Sequence, residues 1–242
     1  MPNENKIAVI TGASGGIGKA VATGLAHDGY RVCLLSRSKD ALQKIANEIV
    51  KNNQVPSHLE PLIYECDVTN INLVNQTIEN VIKELGHVDV LFNNAGILRD
   101  GTLENVKDFT DMINVNLIGA FNILHAAVQY MKKRQQGYIF NLASLCGKIG
   151  YPGIGAYTAS KFGLVGLSES LFNELASSNV KVTTICPSYV ATDMVSHLEY
   201  PPQNLMIQPD DILKIVRGLL LLSSQACVKE IVVHCQATIT TD

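Results

Sequence analysis

The 242-residue chain has no long hydrophobic run: its purely aliphatic blocks stop at lengths such as Leu219 to Leu222, far short of the roughly 20 residues that cross a bilayer. Charge is scarce too, at 17% of residues, and 19 basic against 22 acidic side chains leave a net −3. No global field is present to hold a polyanion, so neither nucleic acid nor a membrane is an expected partner. The six cysteines, at 33, 66, 146, 186, 227 and 235, show no CxxC spacing, and the six histidines show neither HxH nor HExxH. A disulfide framework and a metal site are thereby set aside, and the cysteines read as small buried apolar side chains. The polar start Met1-Pro-Asn-Glu-Asn-Lys6 lacks the regions of a signal peptide, so the expected compartment is the cytosol. With no internal repeat and no Pro/Gly/Ser linker, residues 1–242 are expected to form one domain.

What is present is apolar. Hydrophobic residues make up 47% of the chain and the mean hydropathy is +0.16, which excludes disorder and fits a large buried core. Short β-branched runs recur at Ile7 to Thr11, Arg31 to Ser36, Leu62 to Cys66, Val88 to Phe92, Tyr138 to Leu142, Val180 to Cys186 and Glu230 to Val233. Between them, three- and four-residue apolar spacing predicts helices over Ile17 to His27, Ala41 to Val50, Val74 to Leu85, Phe109 to Met131, Tyr157 to Ala176 and Asp211 to Leu222. Alternation of the two, with strands apolar throughout, predicts a doubly wound α/β fold: about seven parallel strands in a three-layer α/β/α sandwich. Pro187 to Pro209 is the least regular stretch, and Ser188 to Gln208 is expected to form a substrate lid.

Chemistry enters directly after the first strand, with Thr11-Gly-Ala-Ser-Gly-Gly-Ile-Gly18. Glycines at 12, 16 and 18 allow a tight turn, close approach of backbone N–H groups to a pyrophosphate and close helix packing, with the helix amino terminus facing the anion. The spacing is GxxxGxG, not the commoner GxGxxG of Rossmann folds. The second strand ends in Ser36-Arg37, where a carboxylate would repel a 2′-phosphate and a guanidinium can bind it, so NADP(H) is favoured over NAD(H). Arg37 also reads as an ordinary solvated loop charge. Asp67, after the third strand, can accept from an adenine amino group or cap the next helix.

Tyr157 and Lys161 are four residues apart and share one helix face. A phenol titrates near 10, and a neighbouring ammonium stabilises its anion. Ser144 follows the fifth strand at the carboxyl edge, where open α/β sheets bind ligands. The order of glycine turn, Asn93-Asn-Ala-Gly96, Asn116, Ser144 and Tyr157-x-x-x-Lys161 places all of them along one crevice.

On these motifs and on Pro187 to Met194, residues 6 to 233 resemble the short-chain dehydrogenase/reductase family, in its compact single-domain branch and most closely the 3-oxoacyl-carrier-protein reductase type. The resemblance implies hydride transfer between a nicotinamide and a carbonyl or carbinol carbon of a small-molecule or acyl-thioester substrate. Tyr157 would be the general acid, Ser144 would polarise the carbonyl, and Lys161 would hold the nicotinamide ribose and depress the Tyr157 pKa. Asn116 would hold a proton-relaying water. Asn94 and Gly96 would support the adenosine ribose, and Thr192 would contact the carboxamide. Further cofactor contacts are expected from Ser14 and Ile17 in the glycine turn, Val68 after the third strand, Ala95, Pro187 and Val190. Ser188 stands where the family usually has glycine. A homotetramer or homodimer is implied, through the helices Phe109 to Met131 and Tyr157 to Ala176.

Three functions remain open: an NADPH-dependent carbonyl reductase, an NADP-linked alcohol dehydrogenase working oxidatively, and a non-catalytic NADP(H)-sensing protein. Cys146 reads as a pocket wall rather than a nucleophile. Tyr151 and Tyr189 flank the expected pocket, and Lys132-Lys133-Arg134 ends a helix, where cations complement the macrodipole.

Overall fold

Among the described residues seven strands pair in parallel in the order β3-β2-β1-β4-β5-β6-β7, where β1 is Ile7–Thr11, β2 Arg31–Ser36, β3 Leu62–Glu65, β4 Val90–Asn93, β5 Gly137–Leu142, β6 Val180–Pro187 and β7 Glu230–Val233. The computed structural model describes residues 6–53, 56–101 and 105–239. Helices α1 (Gly16–His27), α2 (Lys39–Asn53), α3 (Ile71–Leu85), α4 (Val106–Ile113), α5 (Ala120–Arg134), α6 (Gly155–Leu175) and α7 (Pro209–Leu220) cover both faces. Because side chains alternate along a strand, β1 and β2 serve two cores. Ala8, Ile10, Val32 and Leu34 pack with α1, α2 and α7, whereas Ile7, Val9, Cys33 and Leu35 pack with α3 and α5. Burial on both faces explains the continuous apolar runs of the central strands. The edge strands β3 and β7 are only half-buried, a departure from the all-apolar expectation.

Helix starts fall one to three residues earlier than apolar periodicity places them. The helix expected from Val74 begins at Ile71, where the Asn70 carboxamide caps it by accepting from Leu73 N at 3.1 Å. Likewise Asn105 accepts from Lys107 N at 2.9 Å and starts α4 three residues before Phe109. From there to Arg134 the helix is continuous over 29 residues, interrupted only by a π-helical stretch at Asn114–Gly119. By length and composition this helix could cross a membrane, although half of its most apolar window is buried in the fold. The strand expected from Val88 starts at Val90, since Asp89 instead accepts from Ile7 N at 2.8 Å and pairs with Arg134 at 2.7 Å. The basic run does end α5, as expected.

The segment after β6 is more regular than its composition suggests. A parallel bridge pairs Val190 with Ile207, closing the base of the loop through Ala191 N to Ile207 O at 2.8 Å. Ser188 extends β6 by donating to Val233 O at 2.8 Å, and it is absent from the residues with positive φ. The serine therefore meets no backbone strain where the family has glycine.

Candidate active site

The order β1-β4 reverses the winding direction, and a cleft of about 700 Å³ opens there, outside the carboxyl ends of the strands. Its floor at β1 is the glycine turn. Gly12 and Gly16 adopt φ of +64° and +51°, and a Cβ at Gly18 would stand 2.3 Å from the Gly12 oxygen, so side chains are excluded where the chain folds back on itself. Thr11, to which the sequence assigns no contact, organises the opposite wall: its Oγ1 accepts from Asn94 N at 2.9 Å and Ala95 N at 3.0 Å. Asn94 Nδ2 returns the contact to Thr11 O at 2.9 Å. A threonine directly before a glycine turn was the available signal.

Ser36 and Arg37 line the far end of the cleft, and among the described residues Arg37 makes no hydrogen bond or ion pair. Asp67 lines it beside Val68, but does not cap α3: its Oδ1 accepts from Thr69 N at 2.9 Å and Thr69 Oγ1 at 2.8 Å, and the cap belongs to Asn70. Ser14, Ile17, Ala95, Gly96, Pro187, Val190 and Thr192 also face the cleft. Asn116 and Gly18 do not line it; both are buried behind the wall.

Beneath the other end, a buried polar ladder sets the helices against the sheet. Asn93 Nδ2 donates to Asn141 Oδ1 at 3.1 Å and Ala120 O at 3.1 Å, and Asn141 Nδ2 donates to Ser168 Oγ at 3.0 Å. This ties β4, β5, α5 and α6 together directly below the residues that follow β5. Ser144 is one of these; its Oγ accepts from Cys146 N at 3.1 Å and hydrogen-bonds the Tyr157 side chain. Lys161 Nζ donates to Leu142 O at 3.0 Å and stands 5.6 Å from the centroid of the Tyr157 ring.

Burial dominates the electrostatics. Desolvation pushes the Tyr157 phenol above its ordinary value, with Cys146 adding to the rise and the Ser144 hydrogen bond opposing it. Lys161 Nζ, 5.6 Å from the ring centroid, would favour the anion, but burial outweighs it. Desolvation also lowers the Lys161 ammonium to about 8, against smaller upward pulls from Cys186 and Cys146. At neutral pH the phenol thus holds its proton and has a hydrogen-bonding serine beside it. That arrangement can deliver a proton to an oxygen anion forming between the two hydroxyls.

Asn116 is held within the wall: its amide nitrogen donates to Ile97 O at 2.9 Å and Ser160 Oγ at 3.0 Å, and its Oδ1 accepts from Ile97 N at 2.8 Å. Cys146, Tyr151 and Tyr189 do line the cleft, joined by Ile154, Asp100 and His197, which no pattern in the sequence had marked. Cys227 is exposed, unlike the other five cysteines, and all six are free thiols. No metal-binding cluster of His, Cys, Asp or Glu occurs among the described residues.

The short chain dehydrogenase family model matches residues 6–202. The 3-oxoacyl-[acyl-carrier-protein] reductase of Thermotoga maritima is 38% identical over 197 residues, 81% of this chain and 78% of that protein. A crystal structure of a betaketoacyl-[ACP] reductase from Bacteroides thetaiotaomicron superimposes with a TM-score of 0.85 at 41% identity, covering 97% of this chain and 98% of the other. An alcohol dehydrogenase from the archaeon Thermococcus sibiricus, complexed with 5-hydroxy-NADP, does so with a TM-score of 0.89 at 31% identity, covering 99% and 100%.

Proposed function

The chain belongs to the short chain dehydrogenase family of oxidoreductases, and from that premise we propose that it reduces a ketone or 3-oxoacyl carbonyl to a hydroxyl with NADPH. The observation that carries this reading is the convergence of the Ser144 hydroxyl, the protonated Tyr157 phenol and Lys161 on one cleft at the carboxyl edge of β5. Ser144 orients the carbonyl oxygen and stabilises the charge that develops on it. Tyr157 donates its proton to that oxygen. Lys161 holds ribose hydroxyls.

The cleft fits a phosphorylated dinucleotide. Its glycine cradle has no room for a Cβ at Gly12 or Gly18, the amino terminus of α1 opens on it, and Arg37, without an ion pair among the described residues, lies at the end of β2 with no carboxylate in the Ser36-Arg37 turn. When bound, NADPH supplies the hydride. Gly12, Ser14, Gly16 and Ile17 would form the phosphate cradle with Gly18 packed behind it, Ser36 and Arg37 would take the 2′-phosphate, and Asp67 and Val68 the adenine. Asn94, Ala95 and Gly96 would wall the ribose, and Pro187, Val190 and Thr192 the nicotinamide. Residues 188–208 would close over the substrate as a lid. Relatives named as 3-oxoacyl reductases support the substrate class, and the bound ligand of the Thermococcus sibiricus structure supports NADP.

Consumption of NADPH with acetoacetyl thioesters, diketones and quinones tests the proposal, and silence across that panel overturns it. Tyr157→Phe should abolish turnover and leave NADPH binding nearly intact. Alcohol oxidation has one observation in its favour, the similarity to a protein named alcohol dehydrogenase; the direction is set by the NADPH/NADP ratio. Tight NADPH binding without turnover of any carbonyl would favour a sensing role. Phe109, Phe121 and Phe162, each more than two-fifths exposed on α4, α5 and α6, support a homodimer or homotetramer, testable by sedimentation. Six free thiols suit the reducing cytosol.

A further inference from the structure

One polar side chain in the Tyr157–Lys161 turn has no part in that chemistry. Ser160 is fully buried on α6. Its hydroxyl donates to Tyr157 O at 2.7 Å, an ordinary back-bond of a helical serine. Its second contact is not ordinary: Ser160 Oγ accepts from Asn116 Nδ2 at 3.0 Å, across to the π-helical stretch between α4 and α5. Wide turns of this kind recur at functional sites. The other amide hydrogen and the Oδ1 of Asn116 both go to a single backbone unit, Ile97, through bonds of 2.9 and 2.8 Å. Ile97 is a wall of the cleft, and a Cβ on the preceding Gly96 would stand 3.3 Å from Asn116 Oδ1 and 3.6 Å from Lys161 Nζ. One hydroxyl thus links the catalytic turn of α6 to the wall that Lys161 faces.

We propose that Ser160 is a positioning residue: its hydroxyl locks the Asn116 carboxamide onto the Ile97 backbone and so fixes the spacing between the Gly96–Ile97 wall and the Tyr157–Lys161 turn. The proposal rests on the reading of this cleft as a Tyr157-dependent reductase site. Ser160 touches neither substrate nor cofactor. Removing its oxygen leaves a buried Asn116 N–H without an acceptor and takes away the bond that ties the carboxamide, and with it the Ile97 backbone, to α6.

The experiment is a double-mutant cycle on a carbonyl that the wild type reduces, measuring kcat, KM and the NADPH dissociation constant. Ser160→Ala should lower kcat about tenfold or more, because small displacements of reacting groups are costly, and leave NADPH affinity within about threefold. In an Asn116→Ala background the same change should cost less than about twofold, since its route of action is already gone. Ser160→Thr, which keeps the oxygen, should recover most of the rate. A Ser160→Ala enzyme within about twofold of wild-type kcat overturns the proposal, as do losses that multiply in the double variant. Should the alanine variant not fold, Ser160→Cys takes its place: with a weaker acceptor its kcat should fall between, and wild-type kcat there overturns the proposal equally. Tyr157→Phe is run alongside. If it retains turnover, the reading of the site fails; if it is inactive while Ser160→Ala is unaffected, only the positioning role fails.

Discussion

Replacing Lys161 by methionine should make the protein more stable at neutral pH while removing its activity. Burial lowers the Lys161 ammonium from 10.5 to about 8. Below about pH 8 the amine is charged in both folded and unfolded chains, and the native state carries the whole desolvation cost. Between about 8 and 10.5 the unfolded chain binds the proton and the native one does not, so stability rises with pH through that window; above it neither is charged. At about 1.4 kcal/mol per pH unit, the gap amounts to about 3 kcal/mol withheld at pH 7. Methionine keeps the length of the stem but loses the 3.0 Å bond to Leu142 O, returning about 1 kcal/mol of that gain. The net of about 2 kcal/mol should raise Tm by roughly 4–8 °C at pH 7, and the difference should vanish or change sign near pH 10.

Thermal unfolding of both proteins at the two pH values measures this directly. Turnover gives an independent reading, because kcat/KM for NADPH at saturating carbonyl reports the free enzyme. It should fall about tenfold per pH unit above about pH 8, as Lys161 loses the charge that holds ribose hydroxyls. A Lys161→Met protein that is less stable than wild type at pH 7, or equally shifted at both pH values, refutes the argument. So does a profile flat through about pH 9.5.

Arg37→Ala should raise the KM for NADPH roughly 10- to 100-fold, the worth of charge-assisted bonds to a phosphate, and leave the KM for NADH unchanged; equal effects on both would remove Arg37 from the 2′-phosphate. Gly18→Ala puts a Cβ 2.3 Å from the Gly12 oxygen, backbone that cannot give way without moving the turn. Thermal unfolding should show a loss of about 1–3 kcal/mol, and NADPH binding should weaken in fluorescence titration. Ser188→Gly should leave kcat/KM within about twofold, because no positive φ is required there, and lower stability by less than about 1 kcal/mol through a more flexible unfolded chain. A large gain in activity would show that the serine constrains the site after all.

Strand positions and sheet class were legible because burial on both faces leaves an uninterrupted apolar signal, as in Val9, Cys33 and Leu35. Helix starts were less so. Asn70 and Asn105 act through a side-chain oxygen on one or two backbone amides, a signal one residue wide that an apolar period does not register. Glycines 12, 16 and 18, Tyr157 and Lys161 announced themselves by type and spacing. Thr11, Ser160, Asn141 and Ser168 did not, since each is an ordinary polar residue whose partner lies on another element, 27 to 84 residues away in sequence. Such partners exist only once the sheet has brought β1 beside β4 and β5 beneath α6.

The pKa relation between Tyr157 and Lys161 illustrates the limit of spacing arguments. Four residues on a helix put the two on one face, and from that alone the ammonium is expected to stabilise the phenolate. In the folded protein both groups are desolvated, and desolvation acts on them in opposite senses: it keeps the phenol neutral and weakens the ammonium. The free protein therefore holds a neutral acid beside a cation that is close to losing its charge. An anionic, hydroxyl-bearing dinucleotide would reverse the second effect without disturbing the first, because its phosphates and ribose oxygens favour the charged amine. Cofactor binding would then be linked to proton uptake by Lys161 near pH 8. It would also relieve a cost that burial of Lys161 imposes on folding, and the gain in Tm on adding NADPH should follow the affinity measured at each pH. With uptake present, affinity itself should weaken as pH rises through about 8, and calorimetry in buffers of different ionisation enthalpy would register the proton; identical binding heats across buffers near pH 8 would show that the amine is already committed before the cofactor arrives.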